Sequence, residues 1–350
     1  MAETNDPTPM RVLLVGCGNI AGGFDAARPD SAWPLTHAGA FRRHGGFAID
    51  ACIEPDAARR EAFMERWDVA RGVQDFDALG PDTGRFDIIS ICSPTALHGE
   101  HLAGALSLAP RLIFCEKPLT TSLADSEQWV SRCAAAGVQL AVNHTRRWAP
   151  DVVRLAQELA AGAWGSVRAA SATYNKGVLN NGGHLVDLLH ALLGPLEVIA
   201  AGAPVWDFWP DDPSVPALLR SRSGVSITLN VAHAADYALF ELQLVTQRGT
   251  IVLEDGGQVW RLRRVVNSAQ FNGYRTLDAG ERRTGEYEQA MSRAAASLYR
   301  ALRHGEALAG SGEGALQAQR VCDELRRRAL EMAAVPALGD NTQLPERDRT

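Results

Sequence analysis

Val12-Leu13-Leu14-Val15-Gly16-Cys17-Gly18-Asn19-Ile20-Ala21 decides the fold. Four consecutive apolar residues suit a strand covered on both faces. The glycines that end it let backbone amides approach a pyrophosphate without side-chain obstruction. Gly16, Gly18 and Ala21 have the G-x-G-x-x-A spacing. That spacing also occurs in ordinary strand-to-helix turns, but its place in the first βα unit favours a dinucleotide site built from Gly16, Gly18, Asn19, Ile20 and Ala21.

Further runs of the same texture lie at 48–53, 88–92, 112–115 and 138–142, separated by helical stretches. The alternation predicts a doubly wound parallel sheet of the Rossmann type. A polar, proline-containing insertion between Gly22 and Gly46 is placed to cover the pyrophosphate. From about Ala149 an amphipathic helix at 151–161 is followed by strand-like runs at 167–174, 198–206, 225–232, 240–246, 249–253 and 258–266. Consecutive strands with hairpin-like turns predict a large open, mostly antiparallel sheet. Helices are expected at 286–303 and 315–332.

The length of 350 residues exceeds what one core normally organises, so two domains are expected. These are a Rossmann domain at 1–146 and an α+β domain at 147–335, whose last helix packs back on the first, followed by a polar tail at 336–350. The formal charge of −6 supplies no basic surplus for nucleic acid or an anionic membrane. No apolar run approaches the roughly 18 residues of a membrane span, and residues 1–9 are polar, so a cytoplasmic protein is expected. Cys17, Cys52, Cys92, Cys115, Cys133 and Cys322 show no C-x-x-C spacing, which predicts free thiols and no metal site.

Chemistry-bearing residues gather at the predicted carboxyl ends of strands, where open α/β sheets bind ligands. Glu54 ends the second strand, where a carboxylate would bond the adenosine ribose and disfavour a 2′-phosphate. NAD is favoured; Arg59 and Arg60 leave NADP possible, and a surface glutamate opening a helix is the alternative. Ser93, Pro94 and Thr95 are placed to line the nicotinamide ribose. His98 fits equally a ligand or a histidine packed at a helix start. In Glu116-Lys117-Pro118 the lysine follows a strand and can project over the crevice. Within 174–190, His184 and Asp187 are three apart and share one helix face, with Asn180 near the same turn. His184 suits proton transfer near neutral pH, or a structural histidine bonded by Asp187. His190 reads as a core or interface residue.

The glycine turn at Gly16, Gly18 and Ala21, the Glu116-Lys117-Pro118 tripeptide and the His184-x-x-Asp187 segment, in that order, resemble the Gfo/Idh/MocA oxidoreductase family. The resemblance runs from Val12 to about Met332. It implies hydride transfer between NAD(P) and a carbinol or ketone carbon of a sugar, nucleotide sugar or cyclitol, by a homodimer or homotetramer formed through the second sheet. It further implies that Glu116 and Lys117 lie beside the cofactor and that Lys117 bonds the reacting oxygen. His184 would move the proton with help from Asp187, Tyr174 would be a further partner in that step, and Asn143, Arg146, Arg147 and Asn180 would hold substrate hydroxyls or phosphate. Asn180 stands where many polyol dehydrogenases of the family have aspartate, a pattern closer to the sugar-biosynthetic branch. A redox-assisted glycoside hydrolase and a cofactor-binding sensor are the alternatives.

Overall fold

The computed structural model describes residues 8–334. The first sheet contains β1 (Met10–Val15), β2 (Phe47–Ile53), β3 (Arg71–Val73), β4 (Ile88–Ile91), β5 (Leu112–Cys115) and β6 (Gln139–Val142). All pairs are parallel and the order is β3-β2-β1-β4-β5-β6. Direction reverses between β1 and β4, so the chain ends leaving these two strands diverge around a crevice. The sequence missed only the three-residue edge strand β3, too short to carry a pattern.

Both faces of this sheet are covered. Leu13, Val15, Ile89, Ile91 and Ile113 pack with Leu102 of α3 (His98–Ser107) and Trp129 of α4 (Leu123–Ala135). Met10, Val12, Ile88, Leu112 and Phe114 pack instead with Phe41 of α1 (His37–His44) and with Met291, Ala294, Ala295, Leu298 and Leu302 of the late helix Ala290–His304. A helix from the far end of the chain thus completes the core of the first sheet. The second helix in chain order, α2 (Ala57–Trp67), follows β2.

The glycine turn does not lead straight into a long helix, as its spacing suggests. After turns at 19–25 the chain leaves on a detour and resumes at α1, where His37 N donates to Ile20 O at 3.2 Å and Ala38 N to Ala21 O at 2.8 Å. Asp25 ties the detour down: its buried carboxylate accepts Leu35 N at 3.0 Å, Thr36 N at 2.9 Å and Thr36 Oγ1 at 2.6 Å.

The second sheet has nine strands, and among its described pairs only the strands 167–174 and 226–231 run parallel. Strand Val167–Tyr174 is central, flanked by Ser226–Val231 and by Phe240–Thr246. The run expected at 198–206 stops at Ala201, because the next fifteen residues carry Pro204, Pro210, Pro213 and Pro216, which cannot donate to a ladder. Ala217–Ser221, Arg275–Leu277 and Glu281–Thr284 are strands that the sequence reading omitted. One sheet face is buried under the helices Pro150–Ala160, Gly182–Leu193 and Gly312–Ala334. The last of these also returns to the first sheet's layer, with Arg320 paired to Glu127 at 2.9 Å and Gln319 Nε2 donating to Thr120 O at 3.1 Å. Among the described residues no helix is long and apolar enough to cross a membrane. All six cysteines are buried free thiols.

Candidate active site

At the end of β1, Gly16 adopts φ +87°, and a Cβ there would stand 2.8 Å from Ser93 N. Only glycine lets the two crevice loops approach this closely. A Cβ on Gly18 would meet no atom within 4 Å, so this stretch of backbone faces open space. That is the room a pyrophosphate against the amides requires. Asn19 is exposed, Ile20 half-buried and Ala21 buried. Alongside lies a cavity of about 710 Å³ between Gly16, Glu54, Phe76, Ser93, Pro94 and His101. Its size and position at the strand ends fit the adenosine half of a dinucleotide.

Glu54 lines that cavity but is itself 4% exposed. Its carboxylate accepts Cys17 N at 2.9 Å and Asp56 N at 3.2 Å, and Arg59 Nη1 lies 3.3 Å away. The residue therefore braces the glycine turn as well as facing the ligand space. Pro94 is exposed at the rim, Thr95 opens a short 3₁₀ turn, and Ser93 Oγ bonds His101 Nδ1 at 2.7 Å. His98 takes the structural alternative: it is fully buried, with Nε2 2.9 Å from Ser93 O and Nδ1 3.0 Å from Pro118 O, and joins the loops after β4 and β5.

Glu116 turns inward from its expected place against the cofactor. Its carboxylate accepts Asn143 Nδ2 at 2.6 Å and lies 2.8 Å from His37 Nε2, while Lys117 N donates to it at 3.3 Å. His37 Nδ1 in turn lies 2.7 Å from Ser90 Oγ. Burial opposes charge on His37, but the Cys92 sulfur and Glu116 raise its pKa to about 10. Burial also works against the Glu116 carboxylate, yet His37, Asn143 and Lys117 hold its pKa below the ordinary value. Both shifts favour a His37–Glu116 ion pair, buried on the histidine side, next to Lys117. Asn143, expected to hold substrate, is 1% exposed and belongs to this network. His37 escaped sequence reading because its partners lie 53 and 79 residues away.

Lys117 projects from the end of β5 to Asn180 Oδ1, 2.6 Å away. Burial lowers its pKa, against the carboxylates of Glu116 and Asp212. Asn180 lies in a wide helical turn, Gly177–Asn181, at the start of the helix Gly182–Leu193. That turn hangs on Asp212, whose oxygens accept Leu179 N and Asn180 N at 2.9 Å each. Asp212 sits in a loop without periodicity and gave no signal in the sequence.

His184 lies on the same helix, with its ring 5.7 Å from that of His144 and nearly perpendicular to it. Burial, Lys117, Arg146 and His144, in that order, hold its pKa well below the ordinary value. Among the described residues its Nδ1 has no hydrogen-bond partner. Asp187 does not serve it, contrary to expectation: the carboxylate takes Arg147 through Nε at 3.0 and 3.1 Å and through Nη2. This two-pronged pair satisfies Asp187 at 1% exposure and withdraws Arg147 from substrate. Tyr174 must also be removed from the proton-transfer set. It is fully buried, its hydroxyl donates to Val215 O at 3.0 Å and accepts Val215 N at 2.9 Å, and burial raises its pKa far above the ordinary value. Arg146 stacks 3.8 Å over Phe240 and donates Nε to Gly256 O at 3.0 Å.

Residues 10–144 match the GFO_IDH_MocA model, described as an oxidoreductase family with an NAD-binding Rossmann fold. The chain is 27% identical over 268 residues to D-apiose dehydrogenase of Paraburkholderia graminis, covering 71% of this chain and 68% of that one. It is 22% identical over 273 residues to D-glucoside 3-dehydrogenase of Escherichia coli, covering 74% and 71%. The fold is shared with the WlbA dehydrogenase of Bordetella pertussis, solved with NADH and UDP-GlcNAcA, at TM-score 0.72 and 18% identity over 93% of this chain and 97% of that one.

Proposed function

We propose that this chain, which belongs to the Gfo/Idh/MocA oxidoreductase family, transfers a hydride between NAD(P) and a carbinol or ketone carbon of a sugar or sugar derivative. The observation that carries the reading is the convergence of Lys117 Nζ, Asn180 and a His184 held neutral, with Lys117 at the same strand-end edge of the first sheet as the open Gly18 backbone.

Gly16, Gly18 and the backbone to Ala21 would hold the pyrophosphate, Glu54 the adenosine ribose, and Ser93, Pro94 and Thr95 the nicotinamide ribose. When bound, the nicotinamide supplies or accepts the hydride. Lys117 donates to the reacting oxygen and stabilises negative charge developing there. Asn180 fixes the direction of its Nζ, and Asp212 fixes Asn180. His184, kept neutral by burial and by the neighbouring Lys117 and Arg146 cations, accepts or returns the hydroxyl proton. Asp187 and Arg147 act one layer behind, joining the segment after β6 to the helix that carries His184.

NAD is the preferred cofactor in this reading, because the Glu54 carboxylate stands where a 2′-phosphate would be repelled. Self-association through the open face of the second sheet, where Leu218 and Val245 are 37% and 39% exposed, and a cytoplasmic location complete the proposal. The test is titration of purified protein with NADH and NADPH, then a panel of sugars, glycosides, nucleotide sugars and cyclitols followed at the nicotinamide absorbance. Absorbance change with one class supports the reading. Tight cofactor binding with sugar released and no net redox change would replace it with redox-assisted hydrolysis, and absence of cofactor binding would remove its basis.

A further inference from the structure

The loop that braces the Asn180 turn carries aromatic side chains that the chemistry above does not use. Trp206, Phe208 and Trp209 are 49%, 53% and 45% exposed in the loop at 202–216. Large aromatics displayed together at a surface mark a binding surface more often than chance. This loop is also the scaffold of the catalytic turn. Asp207 Oδ2 accepts Lys176 N at 2.8 Å, Asp207 Oδ1 accepts Ser214 Oγ at 2.8 Å, and Ser214 Oγ accepts Gly177 N at 2.9 Å. Lys176 O then accepts Asn180 Nδ2 at 3.1 Å, and Asn180 holds Lys117. Across the turn, Asn175 Nδ2 donates to Tyr237 O at 2.6 Å, bringing the loop that carries the 64% exposed Tyr237 to the same strand end.

The rings are ordered against one another and against a cation. Phe208 and Trp209 meet edge to face at 4.8 Å, and Lys176 Nζ sits 5.1 Å from the Phe208 centroid. Charges around them balance. Lys176 and Arg326, whose guanidinium donates to Asp211 O at 2.9 Å, stand against the exposed Asp211 and Asp236. There is no cationic surplus for a diphosphate, whereas a ring with hydroxyls on its edge and C–H groups on its face suits aromatic faces flanked by carboxylates.

We propose that Phe208 and Trp209 form a stacking platform for a second, neutral sugar ring, so that the substrate is a glycoside whose reacting unit lies between this platform and Lys117. The inference rests on the sugar-oxidoreductase reading. It makes Phe208 and Trp209 determinants of specificity rather than of rate.

The test compares Phe208→Ala, Trp209→Ala and the conservative Phe208→Tyr with the full-length parent, using cellobiose and lactose against glucose and galactose, with UDP-glucose as a third arm. Binding is read from quenching of tryptophan fluorescence and turnover at the nicotinamide absorbance. The alanine variants should raise the disaccharide-to-monosaccharide ratio of Kd, and of KM, by about tenfold or more, the scale of losing one stacked ring, while Phe208→Tyr restores it. Equal weakening of both sugars overturns the platform. So does a loss confined to UDP-glucose, or a change in assembly mass with no change in the ratio. Sugar binding without redox change in the parent overturns the oxidoreductase reading, while the binding ratios still decide the platform.

Discussion

The two glycines of the dinucleotide turn do different work, and substitution separates them. A side chain at Gly16 would be forced into a left-handed backbone and onto Ser93 N, so Gly16→Ala should cost about 1–3 kcal/mol of stability, visible as a lowered Tm. Gly18→Val meets open space in the protein and should leave Tm near the parent value while abolishing NADH fluorescence enhancement, because only the bound phosphate would be struck. Lys117→Ala, in contrast, should keep NADH affinity and lower kcat by at least ~100-fold; retained turnover would remove Lys117 from the chemistry. The places of Gly16, Gly18 and Lys117 just beyond strand ends were legible, because position after a strand is a local property of the sequence. Asp187 was not: helical spacing to His184 is a local rule, and the partner that claims the carboxylate, Arg147, lies forty residues back. Tyr174 and Asn143 were misassigned for the same reason, since side-chain polarity does not reveal whether the fold supplies internal partners such as Val215 or Glu116.

Among elements, alternation of apolar runs with helices disclosed five of six strands of the first sheet, because burial on both faces leaves a continuous apolar signature. Periodicity cannot disclose which helix covers which face. The helix at 290–304 was readable as a helix, but its Met291, Leu298 and Leu302 pack on Met10, Ile88 and Phe114. Residues 1–146 alone should therefore expose that face and aggregate or bind a hydrophobic dye, whereas the full chain does not; a soluble, cooperatively melting fragment would contradict this packing. Within the intact chain, Leu298→Ala should cost about 2–5 kcal/mol, measured by denaturant unfolding. The insertion at 22–36 offers the opposite case. Its buried anchor is the Asp25 carboxylate, while Arg43 and Arg66 hold it only from the surface, so Asp25→Ala should speed proteolytic cutting between Gly22 and Thr36 while kcat changes little.

Across the whole molecule, buried and half-buried histidines of opposite character set the pH range of stability. Burial, Lys117, Arg146 and His144 depress His184, and burial first also lowers His144 and brings His190 to about 4. An unfolded histidine takes up its proton near pH 6.5. Below that value the unfolded chain binds protons that these folded sites refuse, so stability falls as pH falls from about 6.5 toward 4. His37 acts in the other direction. Its folded pKa of about 10 means that the folded chain keeps a proton the unfolded chain has released; its contribution is complete below about pH 6.5 and fades as pH rises through about 10. The His37–Glu116 pair lies under the first sheet's crevice, and the helix at 312–334 joins that layer to the second sheet, so both limbs should appear in one unfolding transition. His190→Asn should flatten the acid limb of a Tm–pH curve and leave the alkaline limb in place. His37→Gln should lower Tm most below about pH 6.5 and flatten the alkaline limb. An alkaline limb unchanged in His37→Gln would show that the Glu116 network holds no proton of this kind, and the positioning of Lys117 would then depend on hydrogen-bond geometry alone.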